Sequence, residues 1–265
     1  MLSIVNMLKN WRTLSITTGL SWFMKLLMVL LLPVAVSRGD YLFSVLIVFS
    51  VALSMIPSLL ERSYRVTLPF ELDLLITLSI FLNTFMGEWL NFYQRVWLYD
   101  KALHVYGSAV VGLLAFVVVY SLNYTRKVRL SLPFIGLFTV TFAMAMGGIW
   151  EIGEFTVDTL FGKMTQNGLG DTMWDLINDL IGGIVTAVVG MVYVRYSNPD
   201  TRKRLAKPLG EVFGLGKRID MIKERMERSR GTNRPAKRRG RQKAGPNAES
   251  NTEPNNTEID ERDGQ

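Results

Sequence analysis

Gly170-Asp171-Thr172-Met173-Trp174-Asp175-Leu176-Ile177-Asn178-Asp179-Leu180-Ile181-Gly182-Gly183 opens a stretch, 171–195, that is otherwise apolar enough to cross a bilayer. Asp171, Asp175, Asn178 and Asp179 stand at i, i+4, i+7 and i+8, so a helix gathers them on one face. An ionisable group at mid-membrane costs about 2.5–3.5 kcal/mol even on lenient scales, and such a face is expected to line a polar interior instead of meeting lipid. Asp171, directly after Gly170, also reads as a helix N-cap, favoured by the helix dipole. Capping accounts for Asp171 alone, because Asp175 and Asp179 lie one and two turns deeper.

The two preceding spans carry matching residues. The run 132–156 ends in Gly147-Gly148-Ile149-Trp150-Glu151-Ile152-Gly153-Glu154-Phe155-Thr156-Val157-Asp158. Glu151, Glu154 and Asp158 recur at i, i+3 and i+7, one more acidic face. Asp158 is expected at the interface and hydrated; Glu151 is expected inside. The segment 162–168 between these spans reads as a tight outward turn. The run 103–122 is introduced by Tyr99-Asp100-Lys101-Ala102-Leu103-His104, with Asp100 and His104 one turn apart and Gly107 and Ser108 continuing that face inward. His104 is the chain's single histidine, and Asp100 is expected to orient it.

The rest of the chain sets the class. Apolar residues make up 49% of the 265, and they are concentrated in six runs near 14–36, 41–60, 67–90, 103–122, 132–156 and 171–195. Each approaches the twenty or so residues that a spanning helix needs. Lys25 interrupts the first run, and Glu71, Asp73 and Asn83 pepper the third. Leu26–Leu32 followed by Ala35-Val36-Ser37 faintly resembles a cleaved leader, but the apolar region before it favours an uncleaved span. With no Cys there is neither a disulfide framework nor a thiolate site. The expected fold is therefore all-α: a polytopic membrane domain of six helices over 1–196, with a tail over 197–265.

That tail is basic and then acidic. Segment 198–243 carries a net +11 and segment 244–265 a net −5, within a chain of +7. From 244 onward Asn, Pro, Glu and Gly dominate, a composition that leaves a chain disordered. Ile219, Ile222 and Met226 recur at helical spacing among Lys and Arg, the pattern of a helix resting on anionic lipid headgroups. Nucleic acid is disfavoured as a partner, since no aromatic residues interleave the charge. Lys9, Arg12, Arg62, Arg65, Arg126, Lys127, Arg129 and Arg195 cluster on one set of flanks, which places both termini in the cytoplasm of a cell membrane. The polar faces then lie toward the outer half of the membrane.

Seven acids and one imidazole in a low-dielectric interior cannot all be charged together; some hold protons, or a cation neutralises them. The oxygen-rich set Glu151, Glu154, Asp171 and Asp175 would suit a divalent cation such as Mg²⁺ or Mn²⁺ better than Zn²⁺. His104, Glu151 and Asp175, with Asp100, form the expected acid–base set.

Read in order, Asp100-Lys101-x-x-His104, Glu151-x-x-Glu154 and Gly170-Asp171-x-x-x-Asp175-x-x-x-Asp179-x-x-Gly182 resemble the family of six-span bacterial membrane proteins typified by YjdF. More distantly the pattern is similar to the VanZ-like proteins of glycopeptide resistance. The resemblance covers roughly residues 40–196 and implies a multi-pass envelope protein without an established reaction. Three functions fit the residues. The first is an enzyme acting on a lipid or isoprenoid-linked headgroup at the outer leaflet. The others are a proton- or cation-coupled transporter, and a non-enzymatic envelope protein whose polar cluster joins its helices.

Overall fold

The computed structural model describes residues 2–64, 68, 71–212, 221, 224 and 225; side chains 2–15 and that of Glu211 are excluded. The expected disorder of the tail and its helix at 217–230 therefore lie almost wholly outside the described residues. Among the described residues every regular element is a helix, running α1 (Leu2–Ser37), α2 (Tyr41–Tyr64), α3 (Leu72–Phe81), a π-helical segment (Leu82–Trp89), α4 (Phe92–Arg95), α5 (Tyr99–Tyr124), α6 (Leu132–Phe161), α7 (Leu169–Tyr196) and α8 (Pro199–Val212).

Among the described residues, five helices are long and apolar enough to cross a membrane: Ile16–Ser37 of α1, then α2, α5, α6 and α7. The stretch expected as a third span divides instead into α3 and the π-helical segment. Its polar residues explain the change. Asn83 accepts a hydrogen bond from the Tyr93 hydroxyl at 2.5 Å, and the Leu82 carbonyl accepts one from Tyr99 at 2.7 Å. A wider π turn frees carbonyls from the regular helical ladder for such partners.

Burial is inverted relative to a water-soluble protein. Ser50, Ser54, Thr77, Thr84, Thr139, Asp175 and Asp179 are buried, whereas Trp174, Ile181, Val185 and Val189 of α7 are exposed. An apolar exterior around a hydrogen-bonded polar interior suits a hydrocarbon solvent.

The centre of the bundle is α5, α6 and α7. With lipid outside, close van der Waals packing has to hold such helices together, and small residues permit it. A Cβ on Gly182 would run into the Val105 carbonyl oxygen and would meet Ala109 N at 3.0 Å. One turn on, the Thr186 hydroxyl donates to the Ala109 carbonyl at 3.0 Å. Gly182→Ala is accordingly expected to force α5 and α7 apart. It should lower the thermal midpoint in detergent, an overpacking cost of about 1–3 kcal/mol. An unchanged midpoint would show that the helices do not meet there.

Two further features frame the bundle. Lys25 of α1, 2% exposed, donates to Asp73 of α3 at 3.0 Å and to the Ser58 hydroxyl of α2 at 2.6 Å. Ser21 and Ser58 each donate to Asp73 at 2.6 Å. The charges that interrupt two apolar runs in the sequence thus neutralise one another and tie three helices. At the end of the bundle where α5 and α7 finish, α8 lays Leu205, Ala206 and Leu209 against a cluster that includes Leu72, Phe116, Tyr120 and Val194. The sequence reading ends the ordered domain at 196. In the structure the helical packing continues into α8, because these three apolar residues share a face between Arg202, Lys203, Arg204 and Lys207.

Candidate functional site

The polar residues of α5, α6 and α7 meet at one end of the bundle. Helices α5 and α7 both begin there, and α6 ends there. Two helix N-termini therefore point their partial positive charge at a set of carboxylates. Asp179, ten residues into α7 from Leu169, lies about 15 Å along the helix axis at the usual rise per residue.

Lys101 holds the outer part of the site. Its ammonium donates to Asp171 at 2.5 Å, to Asp175 at 2.7 Å and to Asp100 at 3.1 Å. A cation in the first turn of a helix opposes the dipole unless acids compensate it, and three do so here. Asp171 is the third residue of α7 and not its N-cap, because the helix starts at Leu169 and the Asp171 N–H already donates to Gly168 O at 3.0 Å. Its carboxylate reaches back past the Gly168 N-cap to the Asn167 backbone N–H at 3.2 Å.

His104 stands below Lys101. Its Nδ1 donates to Asp179 Oδ1 at 3.2 Å, and the Ser108 hydroxyl donates to the same oxygen. Asp179, not Asp100, therefore orients the ring. Nε2 faces Glu151 Oε1 at 3.6 Å, Asp100 Oδ1 at 3.7 Å and Asp175 Oδ1 at 3.8 Å. These separations exceed hydrogen-bonding distance. Glu151 is 4% exposed, and its Oε1 is buried without a hydrogen-bond partner. Gly147 of α6 faces Asp179 so closely that a Cβ would collide with the carboxylate.

The segment 162–168 is no simple outward turn. It folds back over the site because Asp158 and Glu151 of α6 grip it. Asp158 accepts from Thr165 N–H and Gln166 N–H at 2.8 and 2.9 Å, and from the Thr165 hydroxyl at 2.6 Å. Gln166 in turn donates its amide to the Glu151 backbone carbonyl at 3.0 Å and to Glu151 Oε2 at 3.2 Å. Asp158, expected to be merely hydrated, shapes this loop.

Of the residues expected from sequence, the structure brings Asp100, His104, Glu151 and Asp175 together around one gap. It sets Asp171 beside them on Lys101. Glu154 accepts from the Trp150 indole at 2.9 Å. The expected cation set of Glu151, Glu154, Asp171 and Asp175 is thus not the group with the closest donors. Those belong to Asp100, His104 and Asp175, whose donor atoms lie within 4.8 Å of one another. Lys101, Asp179, Ser108 and Gln166 lie outside the expected acid–base and cation sets, although spacing puts Asp179 and Ser108 on the inward faces. An ammonium in a helix's first turn was the available signal for Lys101.

Fold and site together define a polytopic all-α membrane protein with a charged centre at one end of its helix bundle. The sequence profile of the family described as "Predicted membrane protein (DUF2238)" matches residues 19–196, and the chain belongs to that family. An uncharacterised protein of Thermotoga maritima is 36% identical over 129 residues, 48% of this chain. The chain spans 65% of that relative's length. No solved structure matches.

Proposed function

We propose that the centre is an acid–base site acting on the headgroup of a lipid or isoprenoid-linked molecule at the outer leaflet of the cell membrane. The observation that carries this reading is the His104 ring, held by Asp179 on one nitrogen and facing three carboxylates with the other. That arrangement suits a base whose tautomer is fixed and whose reactive nitrogen opens onto a gap. His104 is the residue to accept or deliver a proton; Glu151 and Asp175 are placed to hold the partner charge. Orientation supports the outer leaflet. Arg126, Lys127, Arg129 and Arg195 all flank the end of the bundle opposite the site, which by the positive-inside rule is the cytoplasmic end. α3 and the π-helical segment together run from that end, where Leu72 packs with Tyr120 and Leu209, to the site's end, where Trp89 packs with Ala35 and Phe43; with them the crossings number six, which puts both termini inside. The basic tail then faces the inner leaflet, where anionic lipids are its natural partners.

Purified full-length protein, supplied with divalent cations and a panel of lipid phosphates, should release a headgroup product. A panel left untouched would sink the reading. Within that assay Asp175→Asn is expected to cost roughly 100-fold or more in rate, the scale of a lost acid–base partner. Asp158→Asn, which loosens only the 165–166 turn, should cost far less. Equal losses would mean that the loop, not the gap, carries the activity.

A second reading has its own observation. His104 links Asp179, deeper along α7, to Glu151 and Asp175 on its other nitrogen, the arrangement of a proton relay. Proteoliposomes with a pH- or cation-dependent flux abolished by His104→Gln would favour transport over headgroup chemistry.

A further inference from the structure

We infer that the gap beside His104 binds one divalent first-row transition ion, held by Asp100, His104 and Asp175, with Glu151 closing the fourth side. The inference deepens the headgroup reading and rests on it for its chemistry, although binding of the ion is measured separately.

Spacing is the first argument. Nε2 lies 3.6–3.8 Å from three carboxylate oxygens, too far for hydrogen bonds. Donors arranged tetrahedrally about 2.0–2.1 Å from one ion stand about 3.4 Å apart, close to the distances seen.

Glu151 is the second argument. It is nine-tenths buried and more, its Oε1 has no hydrogen-bond partner, and that atom points into the gap. A buried carboxylate oxygen without a donor is costly, and a cation is the ligand that relieves it.

The surroundings match those of a metal site. The Nδ1–Asp179 hydrogen bond is the carboxylate–histidine pairing that fixes a ligating imidazole. Lys101 grips Asp100 Oδ2, leaving Oδ1 for the ion; it also donates to Asp175 Oδ1 at 2.7 Å, so Asp175 would reach the ion through that oxygen's second lone pair or through Oδ2. Mg²⁺ and Ca²⁺ favour oxygen-only shells, so the imidazole selects Mn²⁺ or Zn²⁺.

The test is metal content of the full-length detergent-purified protein after equimolar loading with Mn²⁺ or Zn²⁺ and desalting. One ion per chain is expected in the wild type and in Glu154→Gln, and none in His104→Gln or Asp175→Asn. Asp179→Asn should weaken binding roughly 10–100-fold, as loss of an outer partner does. Because site variants can misfold, the electron spin-echo spectrum of Mn²⁺ on the wild type provides an independent readout, and a nitrogen coupling from the imidazole is expected there. A wild type without metal, Mn²⁺ without nitrogen coupling, or a folded His104→Gln that keeps its ion would overturn the inference. Bound metal with no turnover would remove the headgroup reading and leave the ion site standing. Turnover by metal-stripped protein would remove the ion from the chemistry.

Discussion

Lys101→Met is expected to lower the thermal midpoint of the detergent-solubilised protein by roughly 6–20 °C. That range follows from the cost of breaking a buried ion pair, about 3–5 kcal/mol, and the usual sensitivity of a chain of this size. The ammonium is the only lysine or arginine within salt-bridge distance of Asp100, Asp171 or Asp175 among the described residues. Removing it leaves these acids facing one another, with Asp175 almost fully buried. The double variant Lys101→Met/Asp175→Asn removes one of the stranded charges and should recover part of the loss, which a double-mutant cycle would register as coupling. A midpoint within about 2 °C of wild type in the single variant would mean that the acids are neutralised by something other than Lys101.

The second large effect concerns the knot between α1, α2 and α3. Asp73→Ala strands the Lys25 ammonium, 2% exposed, with the Ser58 hydroxyl and, 5.4 Å away, the Trp22 ring as its remaining neighbours among the described residues. A loss of about 3–5 kcal/mol is expected, seen as aggregation during size-exclusion after mild heating. The charge-free pair Lys25→Met/Asp73→Leu should be markedly more stable than Asp73→Ala, because hydrophobic replacement of a whole buried ion pair is often neutral. If the double variant were as unstable as the single, the hydroxyl network of Ser21, Ser58 and Thr77 would be the stabilising element, and not charge neutralisation.

These cases mark what could be read from the chain. The apolar runs located α2, α5, α6 and α7 because each is continuous, and helical spacing put Glu151, Asp175 and Asp179 on inward faces. Partners across helices were not legible. Asp100 is one turn from His104 along the chain, yet Asp179, 75 residues away, takes the Nδ1 hydrogen bond. Periodicity places Glu151 and Glu154 on one face, but it does not report that the second carboxylate accepts from the Trp150 indole. Lys25 and Asp73 read as blemishes in separate spans because their pairing depends on how α1 and α3 pack. The π-helical Leu82–Trp89 likewise follows from Tyr93 and Tyr99, which lie outside the run.

Helix α8 bears on the order in which the protein can be made. The end of α5 carrying Phe116 and Tyr120 is covered by Leu205, Ala206 and Leu209, residues translated some 85 positions later. All five long apolar helices precede them in the chain. A nascent chain that has delivered every spanning segment to the bilayer still lacks the piece that covers α5. The packing around α5 is therefore completed by a segment that follows every described spanning helix in the chain.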